Sequence, residues 1–314
     1  MNDRPGVRFA IAIPQHVAGG TFDPAAFRAF MTRAEELGFE SAWTQEQVLG
    51  DMPNLGPLET MAYAAACSER IRLGCAVLVS TLHSPLHLAK SIATLDQLSR
   101  GRIEVGLGSG GRYRAFAAFD VDPATFLGRF TEGLALMRAC WTEPRIDFEG
   151  RFWQVAQGAM EPKPVQSPHP PIWLAGGHPD ALRRAVRLGD GFFGAGSSTT
   201  AQFVEHAAIV RAALEEAGRD PAGFPIAKRV YLAVGEDGDQ ARREIADALN
   251  RLYGFFRLRD IAAVAVAGTP ADCVEGLQAV ADAGADLILL NPMARERDQM
   301  ELLTTEVIPH VHRR

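Results

Sequence analysis

The stretch RIRLGCAVLVSTLHSPLHLAKSIATLDQLSRGRIEVGLGSG, residues 70–110, carries the strand–helix–strand unit on which the fold class rests. Residues 71–79 (IRLGCAVLV) are a short apolar run of strand length. Ser84-Pro85 then opens a helix, with proline at the first helical position, where a missing N–H costs nothing. The helical pattern continues to about residue 99, and residues 102–106 (RIEVG) read as the next strand. A strand, a crossover helix and a second strand form a βαβ unit, the connection that parallel strands require.

The same rhythm recurs on both sides. Residues 7–14 (VRFAIAIP) read as a buried strand ended by proline. Asp23-Pro24 opens a helix with Phe27, Phe30, Met31, Ala34 and Leu37 on one face, stopped at Gly38. A strand at 41–44 and a helix at 58–67 precede the quoted block, and an amphipathic helix at 125–141 follows it. The alternation pauses over 142–171, where aromatics suggest a small hairpin and the five prolines of 162–171 an extended return. Strands are then expected at 172–174, 191–194, 226–234 and 286–290, with a short extended piece at 264–268. Helices are expected at 179–188, 199–217 and 240–253, from the capping box at Thr269, and at 299–308 with Asp298 as cap. About eight strand–helix units predict an α/β fold, a (β/α)₈ TIM barrel with an insertion around residues 108–171 and residues 1–314 as one domain. Alternation alone also permits a doubly wound open sheet.

With 314 residues, 47% hydrophobic and 22% charged, the chain can bury a large core without disulfides. A net charge of −6 argues against nucleic acid or an acidic membrane surface as partner. No apolar run reaches bilayer length, and residues 1–6 lack the apolar core of a signal peptide, so a cytoplasmic location is expected. Cys67, Cys75, Cys140 and Cys273 form no C-x-x-C pair and lack metal-ligand spacing to histidine, so they read as reduced core thiols and no metal is expected. There are three lysines, Lys90, Lys163 and Lys228.

In a β/α barrel the chemistry sits where the strands end at their carboxyl side. Gln15 and His16 follow the first strand, Gln45, Glu46 and Gln47 the second, Ser80, Thr81 and His83 the third. Three later turns are built of glycine and small residues: 106–111 (with Gly108, Ser109 and Gly110), 175–177 (Ala175-Gly176-Gly177), and 194–198 (with Ala195, Gly196 and Ser197). The last two precede helix N-termini, where free N–H groups favour an anion such as a phosphate tail. The G-x-G-x-x-G match at 106–111 is a weak dinucleotide signal, because it follows the fourth strand and opens no helix. His16 and His178 are placed near the cleft, while His206, His310 and His312 read as surface residues. Residues 51–56, 112–119 and 255–261 are candidate lid pieces.

The chain resembles the luciferase-like monooxygenases. The likeness lies in AEELGFESAW (34–43), the 70–110 block, RFTEGLALMRACWTEP (129–144), EGRFWQ (149–154), PKPVQSPHPPIWLAGG (162–177), ALRRAVRLGDGFFGAG (181–196) and AGTPADCVEGLQAVADAGADLILL (267–290). The resemblance implies a barrel with an insertion and a bound FMN or deazaflavin (coenzyme F420). It implies a kink in the third strand, often with a non-proline cis peptide, at Ala76 and Val77 behind the ring. It also implies a phosphate resting on Gly176, Gly177, Ala195, Gly196 and Ser197, with Gly108, Ser109 and Gly110 lining the ring and ribityl chain. Many members carry an acidic residue followed by histidine after the second strand; here the pair is Glu46-Gln47. An amide can only hydrogen-bond, so either Glu46, His16 or His83 does the proton work or the reaction needs no acid there. A structural Glu46 paired with an arginine is the alternative.

Three activities follow from that resemblance. One is an FMN-dependent monooxygenase acting with oxygen on a small organic substrate, supplied by a separate flavin reductase. The second is a deazaflavin-dependent oxidoreductase that transfers a hydride without oxygen. The third is a flavin-binding barrel without turnover. Homodimers are common in the family.

Overall fold

The computed structural model describes residues 6–17, 20–110, 116–253 and 262–313. Its strands and helices alternate as the sequence pattern requires. β1 (Arg8–Ala12), α1 (Pro24–Glu36), β2 (Ser41–Thr44) and α2 (Pro57–Ala66) lead into β3 (Arg72–Cys75), β4 (Leu78–Val79), α3 (Pro85–Leu98) and β5 (Ile103–Gly108). The insertion holds α4 (Phe126–Thr142) and the strands β6 (Ile146–Glu149) and β7 (Gln154–Gly158). Then follow β8 (Ile172–Ala175), α5 (Pro179–Leu188), β9 (Gly191–Gly194), α6 (Thr200–Glu216), β10 (Ile226–Val234) and α7 (Gly238–Tyr253). The chain ends with β11 (Ala265–Gly268), α8 (Pro270–Asp282), β12 (Leu287–Pro292) and α9 (Glu296–Leu302).

The strand order is β10-β12-β1-β2-β3-β5-β8-β9, and β9 pairs again with β10. The fold is therefore an eight-stranded parallel closed barrel with surrounding helices. β1 sets its register against β12 from Arg8↔Leu287 to Ile11↔Leu290. All nine residues of β10 are buried, as expected of a parallel strand covered on both faces. Its first half pairs with β9 at Ile226–Lys228, while Tyr231–Val234 pairs with β11, so the extended piece expected at 264–268 is a strand outside the ring of eight.

Contacts divide the chain into two compact units. The first comprises residues up to 14, 22–43 and those from 174 onward. Here Asp23 caps α1 by accepting from Ala25 N and Ala26 N, with Pro24 at the first helical position. Trp43, fully buried, donates to Ser41 Oγ (2.8 Å) and meets Phe193 edge-to-face with ring centres 4.8 Å apart.

The second unit comprises residues 15–21 and 44–173. Glu104 on β5 pairs with Arg72 on β3 and accepts from Trp173 Nε1. Asp96 accepts from Gln166 N (2.9 Å) and Gln166 Nε2 (2.8 Å), tying the proline-rich return to α3. The expected hairpin is present, with β6 and β7 antiparallel. Its tip is held by Glu132 of α4, which accepts from the backbone N–H groups of Arg151 (3.0 Å), Phe152 (2.8 Å) and Trp153 (3.0 Å).

Two elements depart from the periodicity of the sequence. The third strand, one apolar run over 71–79, stops at Cys75 and resumes at Leu78, and the intervening Ala76–Val77 peptide is cis, the kink that the family resemblance implies at these residues. The last helix starts at Glu296 rather than 299, after Arg295 in the left-handed region (φ 49°), and widens into a π turn at Leu303–Val307. Its Gln299 is consumed by β10: Gln299 Oε1 accepts from Val234 N and Gln299 Nε2 donates to Val234 O, each at 2.7 Å. Of the expected lid pieces, residues 112–115 and 255–261 lie outside the described residues, and Phe116–Phe119 forms a single 3₁₀ turn.

Glu132→Ala should remove three charge-assisted hydrogen bonds from the hairpin tip and cost about 1–3 kcal/mol. Faster amide exchange at residues 151–153 with unchanged exchange in β5 would be the expected pattern.

Candidate functional site

In the second unit, the break after β3 brings together residues that the sequence had placed on separate strand ends. Ala76 N donates to Thr44 O (2.9 Å), and Leu78 and Val79 resume pairing with Leu107 and Gly108 of β5. Val79 N, at the end of β4, donates to Glu46 Oε2 (2.6 Å). Glu46 Oε1 lies 2.7 Å from His83 Nε2. The Glu46 side chain is 3% exposed and that of His83 25%. Glu46 is thus a buried carboxylate fixed by a backbone N–H and paired with an imidazole, not with the arginine weighed as an alternative. Contacts to both carboxylate oxygens, one from a backbone N–H and one from a ring nitrogen, fix the orientation of the Glu46 side chain.

The neighbouring expected residues have other tasks. Gln47 Oε1 accepts from Asn54 Nδ2 (2.8 Å). His16 is exposed and forms a backbone bridge with Asn54. Buried Gln15 ties three loops, donating to Gln45 O (3.1 Å) and Leu55 O (3.0 Å) and accepting from Gln45 N (2.6 Å). Thr81 Oγ1 donates to Ser109 O (3.1 Å), joining the loop after β4 to the one after β5.

The glycines of this unit answer to packing. A Cβ on Gly106 would collide with the Cys75 carbonyl, one on Gly108 with Val77 Cγ2 (2.8 Å), and one on Gly110 with Val79 Cγ1 (2.6 Å). Their small size lets β5 lie against the broken strand.

In the first unit, the turns after β8 and β9 carry the other expected residues. Gly176 packs against Ala181 of α5, while a Cβ on exposed Gly177 would meet only the His206 ring, at 3.6 Å. His178 caps α5, its Nδ1 accepting from Asp180 N (3.2 Å). Gly196 lies against the Tyr231 ring and Arg229 Cδ, and Ala195, Ser197 and Ser198 complete the turn. Beneath it lies a residue that sequence reasoning passed over. Lys228 of β10 is 2% exposed, and its Nζ donates to Ala195 O, to Ser198 O (2.9 Å) and to Ser198 Oγ (3.5 Å). Burial, with the Arg229 charge adding, pulls its ammonium down from 10.5 to about 7. Only an apolar strand interrupted by Lys228-Arg229 signalled it. His206 on α6, expected at the surface, is half-buried with Nδ1 enclosed and unpartnered. Burial first and Lys228 second lower its pKa, against a raising effect of Glu205 and a hydrogen bond with the Gly177 backbone. Buried cations under glycine turns at helix N-termini fit an anionic group such as a phosphate.

The sequence profile of the luciferase-like monooxygenase family matches residues 6–287. The chain belongs to the luciferase-like monooxygenase family. This luciferase-like chain is 30% identical over 232 residues to an F420-dependent glucose-6-phosphate dehydrogenase of Kineococcus radiotolerans, covering 70% of the chain and 67% of that relative. It spans about half the length of the next curated relatives it matches. Among solved structures it superposes on the monooxygenase RslO1 of Streptomyces bottropensis with a TM-score of 0.83 at 26% identity, covering 97% and 99% of the two chains. The coenzyme F420-dependent tetrahydromethanopterin reductase of Methanopyrus kandleri shares the fold, with a TM-score of 0.79 at 20% identity over 97% and 99%. Among the described residues no helix is long and apolar enough to cross a membrane.

The two kinds of glycine predict opposite outcomes. Gly196→Ala should cost about 1–3 kcal/mol by overpacking against Tyr231. Gly177→Ala should stay within about 0.5 kcal/mol of the parent. Urea denaturation of both variants checks this, and equal losses would contradict it.

Proposed function

We propose that this luciferase-like chain is a coenzyme F420-dependent oxidoreductase that moves a hydride to or from a small organic alcohol or carbonyl compound. The observation that carries the reading is the Glu46–His83 pair, an anchored buried carboxylate 2.7 Å from a partly open imidazole. The hydride would be supplied or accepted by a deazaflavin when bound. The chain must then move a proton on or off the substrate oxygen. Glu46 holds the His83 ring through Nε2, which leaves Nδ1 as the acceptor of the neutral ring and the donor of the charged one. The dyad supports proton transfer without the histidine that Gln47 replaces. The similarity to an F420-dependent dehydrogenase over 70% of the chain supports the choice of cofactor.

Ala76, Val77, Gly108, Ser109 and Gly110 are assigned to the cofactor ring. Gly176, Gly177, Ala195, Gly196 and Ser197 are assigned to its anionic tail, a role supported by buried Lys228 beneath that turn. Of these, Gly177 is exposed, and a side chain there would meet only the His206 ring at ordinary contact distance.

A second reading, an FMN-dependent monooxygenase fed by a separate reductase, is favoured by the likeness to RslO1 along nearly the whole chain. Titration with FMN and with coenzyme F420 separates the two. Tighter binding of coenzyme F420 and substrate turnover without oxygen consumption are expected; tight FMN binding with oxygen uptake would replace the first reading by the second. Reduction or oxidation of any substrate by the loaded protein would dismiss a barrel that only stores flavin.

Two variants test the assignments. Glu46→Gln should lower kcat by about 10²–10⁴-fold while leaving cofactor affinity intact; unchanged turnover would remove the dyad from the chemistry. Gly177→Asp places a carboxylate on the exposed turn beside His206 and should abolish binding of a phosphorylated cofactor with the barrel still folded. Undiminished affinity would remove this turn from the site.

A further inference from the structure

We propose that Lys228 is the positioning residue of the Ala195–Ser198 turn and that its charge is felt by an anion held there; the second half rests on the cofactor reading above. Burying an ammonium is costly, and an apolar side chain of similar volume would fill the same space more cheaply. Lys228 is nonetheless fully buried in β10, with Ala195 O, Ser198 O and Ser198 Oγ as its acceptors. Ala195 O also accepts from Ser198 N (3.2 Å) and Ser198 Oγ (2.7 Å), so three donors converge on one carbonyl. The C=O and N–H of a trans peptide point in opposite directions. Drawing the Ala195 carbonyl onto the ammonium therefore turns the Gly196 N–H the other way, the polarity an anion requires. Substituents on Gly196 are excluded by Tyr231 and Arg229, so the turn has little freedom to reorient.

The groups facing Lys228 make the arrangement responsive to pH. Arg229 is its neighbour on β10, and His206 approaches from α6 with Glu205 beside it. Arg229 and burial disfavour the Lys228 charge, and Lys228 in turn disfavours charge on His206. The ammonium is present below its titration point near 7 and is lost as pH rises through it, so the grip on an anion weakens in that direction.

The test compares wild type with Lys228→Met, Lys228→Gln and Lys228→Arg, each checked for folding by circular dichroism. The probes are FMN against riboflavin and coenzyme F420 against its phosphate-free deazaflavin chromophore. Wild type should bind the phosphorylated member of at least one pair more tightly. Met and Gln variants, which lack the charge and its hold on the Ala195 carbonyl, should lose about tenfold or more of that preference. Between about pH 6 and pH 8 the preference in wild type should fall relative to that in Lys228→Arg, whose guanidinium does not titrate there, the comparison cancelling any titration of the ligand's own phosphate. A wild type that fails to distinguish either pair overturns the cofactor assignment of this turn. Positioning is decided independently of any cofactor. In Lys228→Met the His206 ring should titrate at higher pH by NMR, and the Ser198 amide should exchange about tenfold faster. If neither changes in a folded Met or Gln variant, Lys228 does not organise the turn and the inference falls.

Discussion

A strand that breaks beside its neighbour must find new partners for its backbone groups, and the second unit is arranged around that requirement at residues 75–79. β3 ends at Cys75, whose carbonyl occupies the space that any side chain on Gly106 would take. Ala76 N turns to Thr44 O, and Val79 N, beyond the break, turns to the carboxylate of Glu46. The packing of Val77 and Val79 against Gly108 and Gly110 then fixes where β5 ends. An unbroken strand would spend Val79 N on its ladder, and Glu46 would lose the donor that orients it toward His83. The geometry of the acid pair is thus a consequence of how a backbone solves its hydrogen-bonding problem.

The first unit solves a different electrostatic problem with a cation. Lys228 and Arg229 interrupt a strand whose nine residues are all buried, at the level where β10 leaves β9 and takes up β11. Carbonyl oxygens compensate the Lys228 ammonium only in part, and burial accordingly pulls its pKa down. The same burial acts on His206, enclosed against Gly177. Tyr231 and Tyr253 add a hydroxyl pair 2.6 Å apart in that neighbourhood, with the Tyr253 hydroxyl held neutral by burial and by its partner. Positive and polar groups in a low-dielectric setting exert fields that water would otherwise screen. That is the physical basis for reading these turns as an anion site.

Much of this organisation is legible in the sequence. The βαβ block at 70–110, the caps at Asp23 and Thr269 and the proline-rich return were each placed by local rules, because capping and turn chemistry depend on a few adjacent residues. The end of the chain was misplaced because Gln299 is bound across the fold by Val234, a contact with no local signature. The glycine turns were located correctly, yet most proved to be shaped by neighbours such as Val77, Val79, Ala181 and Tyr231, which stand far away or on other elements.

Sequence alone established the alternation of strand and helix, the parallel sheet it demands, the insertion and the set of polar residues at strand ends. Those properties follow from periodicity and short-range sterics, which the order of residues fully specifies. Only the tertiary structure decided that Glu46 meets His83 rather than an arginine, that Gln47 and His16 turn to Asn54, and that Lys228 and His206 lie beneath the glycine turns. Those pairings join residues up to tens of positions apart, and their burial and charge exist only once the chain has closed around them.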